Sequence, residues 1–168
     1  MKNEISTIGH STHSTDEFIK LLKTHNIHAV GDVRSSPYSK FNPQFNRETL
    51  KDELEKQNIK YVYLGKELGP RSNDPNCYIN KKASYDLIAN TDLFKEGLKR
   101  LIDGLQKYKI ALMCAEKDPT TCHRMILICR HLKTYNLKIS HILENGDLES
   151  NEDAERRLMK SMKVPEAT

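Results

Sequence analysis

The segment 110–124, with the sequence IALMCAEKDPTTCHR, decides the fold of this chain. Residues 110–113 form an apolar run that is typical of a buried strand, and the apolar-periodic residues after Arg124 are typical of a helix. Between the two lie thiols, a carboxylate, an imidazole and a guanidinium. Because open α/β sheets bind their ligands at such strand-to-helix turns, the segment predicts both an α/β fold and the position of a site.

Strand-like and helix-like patterns alternate on both sides of this segment. Strands are predicted at residues 6–9, 27–33, 59–64, 110–113 and 138–143, and helices at 15–25, 47–57, 87–108, 125–132 and 152–162. This alternation is typical of an α/β fold with a mostly parallel open sheet, here of about five strands, and helices on both faces. No repeat or linker interrupts the pattern. It predicts a single domain over residues 1–168, with 146–168 as a C-terminal helical extension.

The composition indicates a soluble chain, since 30% of its 168 residues are charged, 37% are hydrophobic and the formal net charge is +4. No apolar run approaches the roughly 18 residues that span a bilayer, and the first residues lack the apolar core of a signal peptide. The four cysteines show no tight pairing pattern, which favours a reducing compartment. We expect a cytoplasmic protein without membrane association. Its mild charge permits a polyanionic partner without requiring one, and its oligomeric state is open.

Polar clusters follow four of the predicted strands. In a parallel sheet the carboxyl ends of the strands share one edge, so groups that are distant in sequence meet there. The loops at the opposite edge are mostly ordinary connectors. This asymmetry favours a functional site built from His10-Ser11, Asp32 with Arg34-Ser35-Ser36, Gly65-Lys66, and Glu116 with Cys122-His123-Arg124.

Arg34, Ser35 and Ser36 are the first candidates for binding an anion, since a guanidinium offers a bidentate fork and hydroxyl groups add donors. The alternative is that Arg34 simply pairs with Asp32 and that the serines form an ordinary turn. Arg124 would lie in the first turn of a helix, whose free amides also favour an anion. The predicted substrate-binding set is Arg34, Ser35, Ser36, Arg124, Asp32, Tyr38, Lys40 and Lys66.

The loop 37–47 interleaves aromatic, basic and amide side chains. Exposed rings can stack on nucleobases while Lys40 and Arg47 approach a phosphate backbone. Alternatively, Phe41 and Phe45 tuck beneath the loop as its own small core, and we expect this of at least one of them.

Glu116 is the predicted general acid/base group. The alternative is a salt bridge from Glu116 to Arg124 or Arg34. His10, at the end of the first strand, and His123 complete the predicted catalytic set by orienting the substrate. Asp118 lies nearer the apex of the loop and is expected to be exposed or to cap a helix.

Cys114 follows a strand, as does the nucleophile of rhodanese-like sulfurtransferases and cysteine phosphatases. Those enzymes hold an anion in a tight loop of backbone amides, whereas the loop here contains Glu116 and Asp118, which would repel a phosphate. Sulfur or redox chemistry at Cys114 is therefore a minor alternative, and Cys122 aligns with core positions on a helical wheel. No paired ligand spacing such as C-x-x-C occurs, so neither a metal nor another cofactor is predicted.

The combined motifs are Gly9-His10-Ser11, Asp32-Val33-Arg34 with Pro37, Leu64-Gly65 and Leu68-Gly69, Cys114-Ala115-Glu116, and Cys122-His123-Arg124. On these motifs, the chain resembles the bacterial domain-of-unknown-function 488 family over nearly its whole length up to about Leu143. The resemblance implies an α/β domain with a cleft at the motifs, and it supplies no reaction.

The leading hypothesis is an enzyme that binds a nucleotide or nucleic acid at an anion or phosphate site on the carboxyl edge of the sheet. Glu116 would be the acid/base group in the hydrolysis of an N-glycosidic or a phosphoester bond. The sequence does not distinguish between these two reactions. One alternative is a non-catalytic module that binds nucleic acid or an anion. The other is sulfur or redox chemistry that depends on Cys114.

Overall fold

A computed structural model describes residues 3–162 of the chain. Its strands are β1 (Glu4–Gly9), β2 (Ala29–Asp32), β3 (Lys60–Tyr63), β4 (Tyr78–Ile79), β5 (Lys82–Ala83), β6 (Ile110–Cys114), β7 (Lys138–Ile142) and β8 (Leu148–Ser150). Six of them form one sheet in the order β3-β2-β6-β1-β7-β8, and β4 pairs with β5 in a separate hairpin. Only β8, at one edge of the six-stranded sheet, runs antiparallel to its neighbour. The prediction of an α/β fold with a mostly parallel sheet is confirmed.

The helices mostly alternate with the strands along the chain. They are α1 (Thr15–Thr24), α2 (Arg47–Lys56), α3 (Gly65–Leu68), α4 (Tyr85–Ala89), α5 (Asp92–Leu105), α6 (Arg130–Leu132) and α7 (Asn151–Met162), and a π-helix over Arg124–Cys129 leads directly into α6. The exceptions to the alternation are the consecutive pairs β4–β5, α4–α5 and β7–β8. The start of α1 follows from the sequence. Ser14 Oγ accepts a hydrogen bond from Glu17 N, and the Glu17 carboxylate accepts one from Ser14 N (both 3.1 Å), which is a capping box.

Two apolar cores lie on the two faces of the sheet, because successive strand residues point to opposite faces. Ile5 and Leu112 face a core that includes residues of α3, α5 and α6. Ile8 and Met113 face a second core, which is closed by α1 and α2 through residues such as Phe18. The sheet is therefore covered by helices on both faces, and its carboxyl edge remains free to form a site.

Several elements differ from the sequence prediction, which has no counterpart for α3 or for the hairpin of β4 and β5. The single helix predicted over 87–108 is divided into α4 and α5, because the Thr91 side chain accepts a hydrogen bond from Phe94 N and starts a new helix. The helix predicted near 125–132 begins as a π-helix. The short strand β8 was not predicted, since the three residues of Leu148–Ser150 carry too little apolar pattern to indicate a strand.

The predicted C-terminal helix is confirmed as α7, which packs against β7 and β8. The remaining part of the predicted extension, residues 163–168, lies outside the described residues, and the single domain over 1–168 stays a prediction. Within residues 3–162, no helix combines the length and the apolar character needed to cross a membrane.

Candidate functional site

The backbone segments that follow β1, β2 and β6 lie side by side at the carboxyl edge of the sheet. His10 N donates to the carbonyl oxygen of Cys114 (2.8 Å), and Val33 N donates to the carbonyl oxygen of Met113 (3.0 Å). Hydrogen bonding between neighbouring segments of the chain therefore continues past the strand ends. It brings together three of the four predicted polar clusters.

Two adjoining cavities open at this edge, with volumes of about 680 and 370 Å³, and are called cavity 1 and cavity 2 here. Both are lined by Arg34, Ser36, Ala115 and Glu116. Cavity 1 is further lined by His10, Ser11, Thr12, Tyr38, Ser39, Lys40, Phe41, Asn42, Lys117 and Glu144. Cavity 2 is further lined by Ser35, Pro70, Arg71, Tyr85, Cys114, Thr121, Cys122 and His123. Three predicted site residues line neither cavity: Asp32 and Arg124, which are buried, and Lys66, which is exposed on α3.

Arg34 is almost fully buried, and Asp32 holds its guanidinium. Nε and Nη2 donate to the two carboxylate oxygens of Asp32 (2.9 and 2.8 Å). Nη2 also donates to the carbonyl oxygen of Phe45 (2.8 Å), and Nη1 lies 3.4 Å from His10 Nε2. Tyr61 OH donates to the same carboxylate, and burial raises the pKa of this phenol. The Asp32–Arg34 pair is thus a structural ion pair whose guanidinium still borders both cavities.

His10 is buried beside Arg34 and is uncharged. Burial lowers the pKa of His10 to about 4. Its Nδ1 donates to the carbonyl oxygen of Ser11 (2.8 Å), so Nε2 is left as an acceptor for Arg34. The ring stacks on Phe45 with 4.4 Å between centroids. His10 therefore fixes Arg34 and forms part of the wall of cavity 1.

His123 has a similar arrangement on the wall of cavity 2. Burial lowers the pKa of His123 to about 4. Its Nε2 donates to the carbonyl oxygen of Val33 (2.9 Å), and Nδ1 lies 3.7 Å from Cys122 Sγ. The ring therefore ties the start of the π-helix to the segment after β2 and points its acceptor nitrogen at a sulfur.

Glu116 is exposed and borders both cavities. Its carboxylate makes no hydrogen bond or ion pair with any residue from 3 to 162, so the predicted alternative of a salt bridge to Arg124 or Arg34 is not observed. Only the backbone of Glu116 is held, because its carbonyl oxygen accepts from Arg124 Nη1. The carboxylate is free to contact a ligand in either cavity.

Arg124 holds the loop that carries Glu116. Its fully buried guanidinium donates from Nε to Thr7 Oγ1 (3.0 Å), from Nη1 to Cys114 Sγ (2.9 Å) and to the Glu116 carbonyl oxygen, and from Nη2 to the Lys117 carbonyl oxygen (3.3 Å). Burial lowers the pKa of Arg124 to about 10. The predicted role of Arg124 as an anion ligand does not match this position, because the side chain lies beneath the cavities and all its contacts are inside the protein.

A buried polar chain behind Arg124 was missed by the sequence analysis. Thr7 Oγ1 contacts His141 Nδ1 (2.6 Å), and His141 Nε2 contacts Asn151 Oδ1 at the start of α7 (2.9 Å). Burial lowers the pKa of His141 to about 4. Thr7 and His141 are cross-strand partners on β1 and β7. The signal that could have found them is the presence of polar residues inside otherwise apolar strands.

The loop 37–47 uses its two phenylalanines differently. Phe45 is fully buried and contacts His10 and Phe18, whereas Phe41 is 89% exposed at the rim of cavity 1. Tyr38 OH donates to the Glu48 carboxylate (2.9 and 3.0 Å). The expectation that at least one phenylalanine packs beneath the loop is confirmed, and the other remains available to a ligand.

Of the two predicted serines, Ser35 is bound to a neighbouring loop and Ser36 is free to contact a ligand. Ser35 Oγ accepts a hydrogen bond from Arg71 N (2.9 Å) and joins two loops, while Ser36 is exposed and borders both cavities.

Asp118 caps the turn Pro119–Thr121 by accepting from Thr120 N (3.0 Å). Arg157 of α7 donates to both of its carboxylate oxygens (2.9 and 3.1 Å), and these hydrogen bonds lower the pKa of Asp118 to about 2. Arg157 of α7 therefore compensates the negative charge of Asp118, which reduces the effect of that charge on the cavities.

Cys114 and Cys122 are brought together although their spacing did not indicate a pair. Their sulfur atoms lie next to each other across the loop 115–121, with 7.5 Å between the two Cα atoms, and both side chains are buried. The other two cysteines, Cys77 and Cys129, are free and buried in the core.

A family model described as a domain of unknown function, DUF488, matches residues 14–130, which include the loops after β2, β3 and β6. No curated protein and no solved structure shows significant similarity to the chain.

In the described range, residues 3–162, no group of three or more histidine, cysteine, aspartate or glutamate side chains is arranged to hold a metal ion.

Proposed function

Because the chain belongs to the DUF488 family, a family defined without a reaction, we propose a function from the site itself. The protein is an enzyme that hydrolyses the N-glycosidic bond of a nucleotide or nucleic acid, with Glu116 as its acid/base group. The observation that carries this proposal is the free, exposed carboxylate of Glu116 at the junction of two cavities.

The unpaired Glu116 carboxylate between the two cavities favours a reaction in which positive charge develops. Arg34 is compensated by Asp32, and Lys117 pairs with Glu144 (3.3 Å) at the rim of cavity 1. The Glu116 carboxylate has no such partner among residues 3–162. A carboxylate stabilises the oxocarbenium-like transition state of glycoside cleavage, whereas it repels a phosphate that is to be attacked. Between the two predicted reactions, N-glycosidic hydrolysis is therefore the better supported.

Cavity 1 suits a nucleotide in size and lining. Its volume of about 680 Å³ lies in the range of small-molecule sites. Phe41 and Tyr38 on its rim offer exposed rings on which a base can stack, and Lys40 offers a cation for a phosphate group.

In the proposed reaction, Glu116 takes a proton from a water molecule, and the water oxygen forms a bond to the anomeric carbon of the sugar. The N-glycosidic bond breaks, its electron pair leaves with the base, and the base takes a proton from solvent. His10 and His123 act as positioning residues here, because each donates its N–H to a backbone carbonyl.

The test is the release of free base from nucleosides, nucleotides and single-stranded oligonucleotides, followed by chromatography. We expect Glu116→Gln to lower turnover by about 100-fold or more and to change ligand affinity by no more than a few fold. The matched control is Glu144→Gln, which removes a carboxylate from the same cavity that is paired with Lys117. Base release at the wild-type rate from Glu116→Gln would contradict the proposal.

The second candidate is a non-catalytic module that binds nucleic acid, and the exposed Phe41 beside Lys40 supports it. This candidate is favoured if oligonucleotides bind with a steep dependence on salt and no base is released by the wild-type protein.

A further inference from the structure

We propose that Cys114 and Cys122 form a reversible thiol–disulfide couple, which exchanges with a small disulfide that enters cavity 2. Cys114 is the attacking thiolate and Cys122 is the resolving thiol. This activity is separate from the function proposed for Glu116, since it requires neither that carboxylate nor cavity 1.

The fold holds the two sulfur atoms together from different elements. Cys114 is the last residue of β6, and Cys122 follows the turn Pro119–Thr121, immediately before the π-helix. Their sulfur atoms lie next to each other. The loop between them is fixed at its centre by Asp118, through Thr120 and Arg157. The Cα atoms of the two cysteines are 7.5 Å apart, so the bond forms only when the two backbone segments move slightly closer.

Arg124 identifies Cys114 as the thiolate. A fully buried guanidinium needs an anionic partner to offset its desolvation. Arg124 donates to a hydroxyl and to two carbonyl oxygens, and no carboxylate of the described segment forms an ion pair with it. When the pair is reduced, the one ionisable group in direct contact with the guanidinium is the Cys114 sulfur, 2.9 Å from Nη1. A neighbouring arginine stabilises the thiolate form of a cysteine.

His123 contacts the sulfur of Cys122 through its free ring nitrogen. Its Nε2 donates to the Val33 carbonyl oxygen, so Nδ1 carries a free lone pair, and Nδ1 lies 3.7 Å from Cys122 Sγ. Cys129 gives the contrast, because it is fully buried and burial raises the pKa of its thiol to about 12. Only the Cys114–Cys122 pair combines a cation, an acceptor and a cavity.

Cavity 2 gives a small molecule access to the pair. Both cysteines line its wall, and its volume is about 370 Å³. The exposed Arg71 and the hydroxyl group of Ser36 also line it. Because Glu116 also lines cavity 2, the lining carries both signs of charge. The size of the cavity favours a low-molecular-weight disulfide, and glutathione disulfide is the probe used.

Thiol–disulfide exchange proceeds in two steps, each of which forms one sulfur–sulfur bond and breaks another. The Cys114 thiolate attacks one sulfur of the small disulfide, forms a mixed disulfide and releases one thiolate. Cys122 then loses its proton to solvent, attacks the Cys114 sulfur and releases the second thiolate. The two cysteines are oxidised to one disulfide and the small disulfide is reduced to two thiols. Two small thiols reduce the disulfide through the same two steps in reverse.

Several charged groups act on the pair besides Arg124. Arg34 and Glu116 share cavity 2 with the two sulfurs, and Asp118 lies on the same loop. Asp32 compensates Arg34, and Arg157 compensates Asp118. The remaining influence on Cys114 is the direct contact with Arg124, opposed by the more exposed Glu116.

The first experiment equilibrates the full chain in buffers with different ratios of reduced to oxidised glutathione. The samples are quenched with acid and alkylated, and the four cysteines are quantified by mass spectrometry. We expect a single two-electron transition in which Cys114 and Cys122 are oxidised together. Cys77 and Cys129 serve as internal controls and remain thiols. Free thiols at both positions in the most oxidising buffer, or mixed disulfides without an internal bond, would overturn the proposal.

The second experiment measures the alkylation rate of Cys114 against pH in Cys122→Ser. We expect the midpoint to fall below the ordinary thiol pKa of about 8.5. At neutral pH, Cys114 should react about tenfold faster, or more, than a thiol of the unfolded chain. An ordinary or raised midpoint would refute the role of Arg124, even if a disulfide forms. Because the variant keeps Arg124 in place, this measurement does not depend on a change in the core.

Discussion

Arg34 makes four side-chain hydrogen-bonding contacts inside the protein, with Asp32, His10 and the Phe45 backbone. Glu116, which borders the same two cavities, makes none with its carboxylate in the part of the chain described by the structure. Replacement of the two residues is therefore expected to change the stability of the folded protein by different amounts. Removal of Arg34 leaves a buried carboxylate without its cation, whereas removal of the Glu116 charge affects only groups in contact with solvent.

The first prediction compares the stability of these two variants. We expect Arg34→Ala to lower the free energy of unfolding by about 3–5 kcal/mol, since Asp32 would remain buried and unpaired. We expect Glu116→Gln to change it by no more than about 0.5 kcal/mol. Urea unfolding at neutral pH measures both values. An equal loss in the two variants would show that Glu116 also supports the fold.

At the residue scale, the sequence predicted which side chains gather at the site better than what each one does there. Arg34 and Asp32 lie beside each other at the carboxyl edge of the sheet, and the sequence left both the paired and the anion-binding interpretation open. Pairing depends on distances between side chains of neighbouring segments, which residue types do not encode. The position of Arg124 beneath the site follows from its contacts with β1 and β6, to which its place in the sequence gives no guide.

At the scale of elements, the loop 37–47 combines an anchor with a free surface. Phe45 lies against His10 and Phe18 in the core below α1, and the exposed Phe41 lies four residues earlier in the chain. One ring therefore holds the loop in place while the other can contact a ligand.

The second prediction separates these two roles. We expect Phe45→Ala to lower the free energy of unfolding by about 3–5 kcal/mol because it empties a core position. Phe41→Ala should leave stability within about 0.5 kcal/mol and weaken the binding of a single-stranded oligonucleotide by about 1–3 kcal/mol, the range for loss of one stacked base. Urea unfolding and equilibrium titration give the two readouts. Unchanged affinity in Phe41→Ala would remove the loop from the binding surface.

The elements that the sequence predicted well have strong local signals, such as the capping box of α1 and the apolar run of β6. The elements that it missed depend on weaker ones. Thr91 divides a continuous apolar stripe into α4 and α5 through a single side-chain hydrogen bond. The strand β8 exists because Leu148–Ser150 can pair with β7 at the edge of the sheet, a tertiary interaction that a three-residue pattern does not reveal.

At the scale of the whole molecule, three buried histidines are neutral: His10, His123 and His141. Burial lowers the pKa of each from the ordinary 6.5 to about 4. Two of them border the cavities, and the third connects Arg124 to α7 through Thr7 and Asn151.

The third prediction is a loss of stability in mild acid. Between pH 6.5 and about 4 the unfolded chain binds more protons at these histidines than the folded protein does, so the free energy of unfolding falls as the pH decreases through this window. The contribution is fully present above pH 6.5. We expect a total loss of at least about 2 kcal/mol, since one pKa unit corresponds to about 1.4 kcal/mol. Urea unfolding over this pH range measures the loss. A free energy of unfolding that stays constant until the pH at which carboxylates titrate would contradict the prediction.

The position of β6 between β2 and β1 has a consequence for the order of events during synthesis. While the ribosome has released only the chain before Ile110, β1 and β2 have no shared ladder, because the strand that joins them does not yet exist. His10 and Arg34 come into register only when β6 inserts between their strands. The nascent chain can thus acquire helices and a β2–β3 pair early, but the cleft forms late, after most of the protein has left the ribosome.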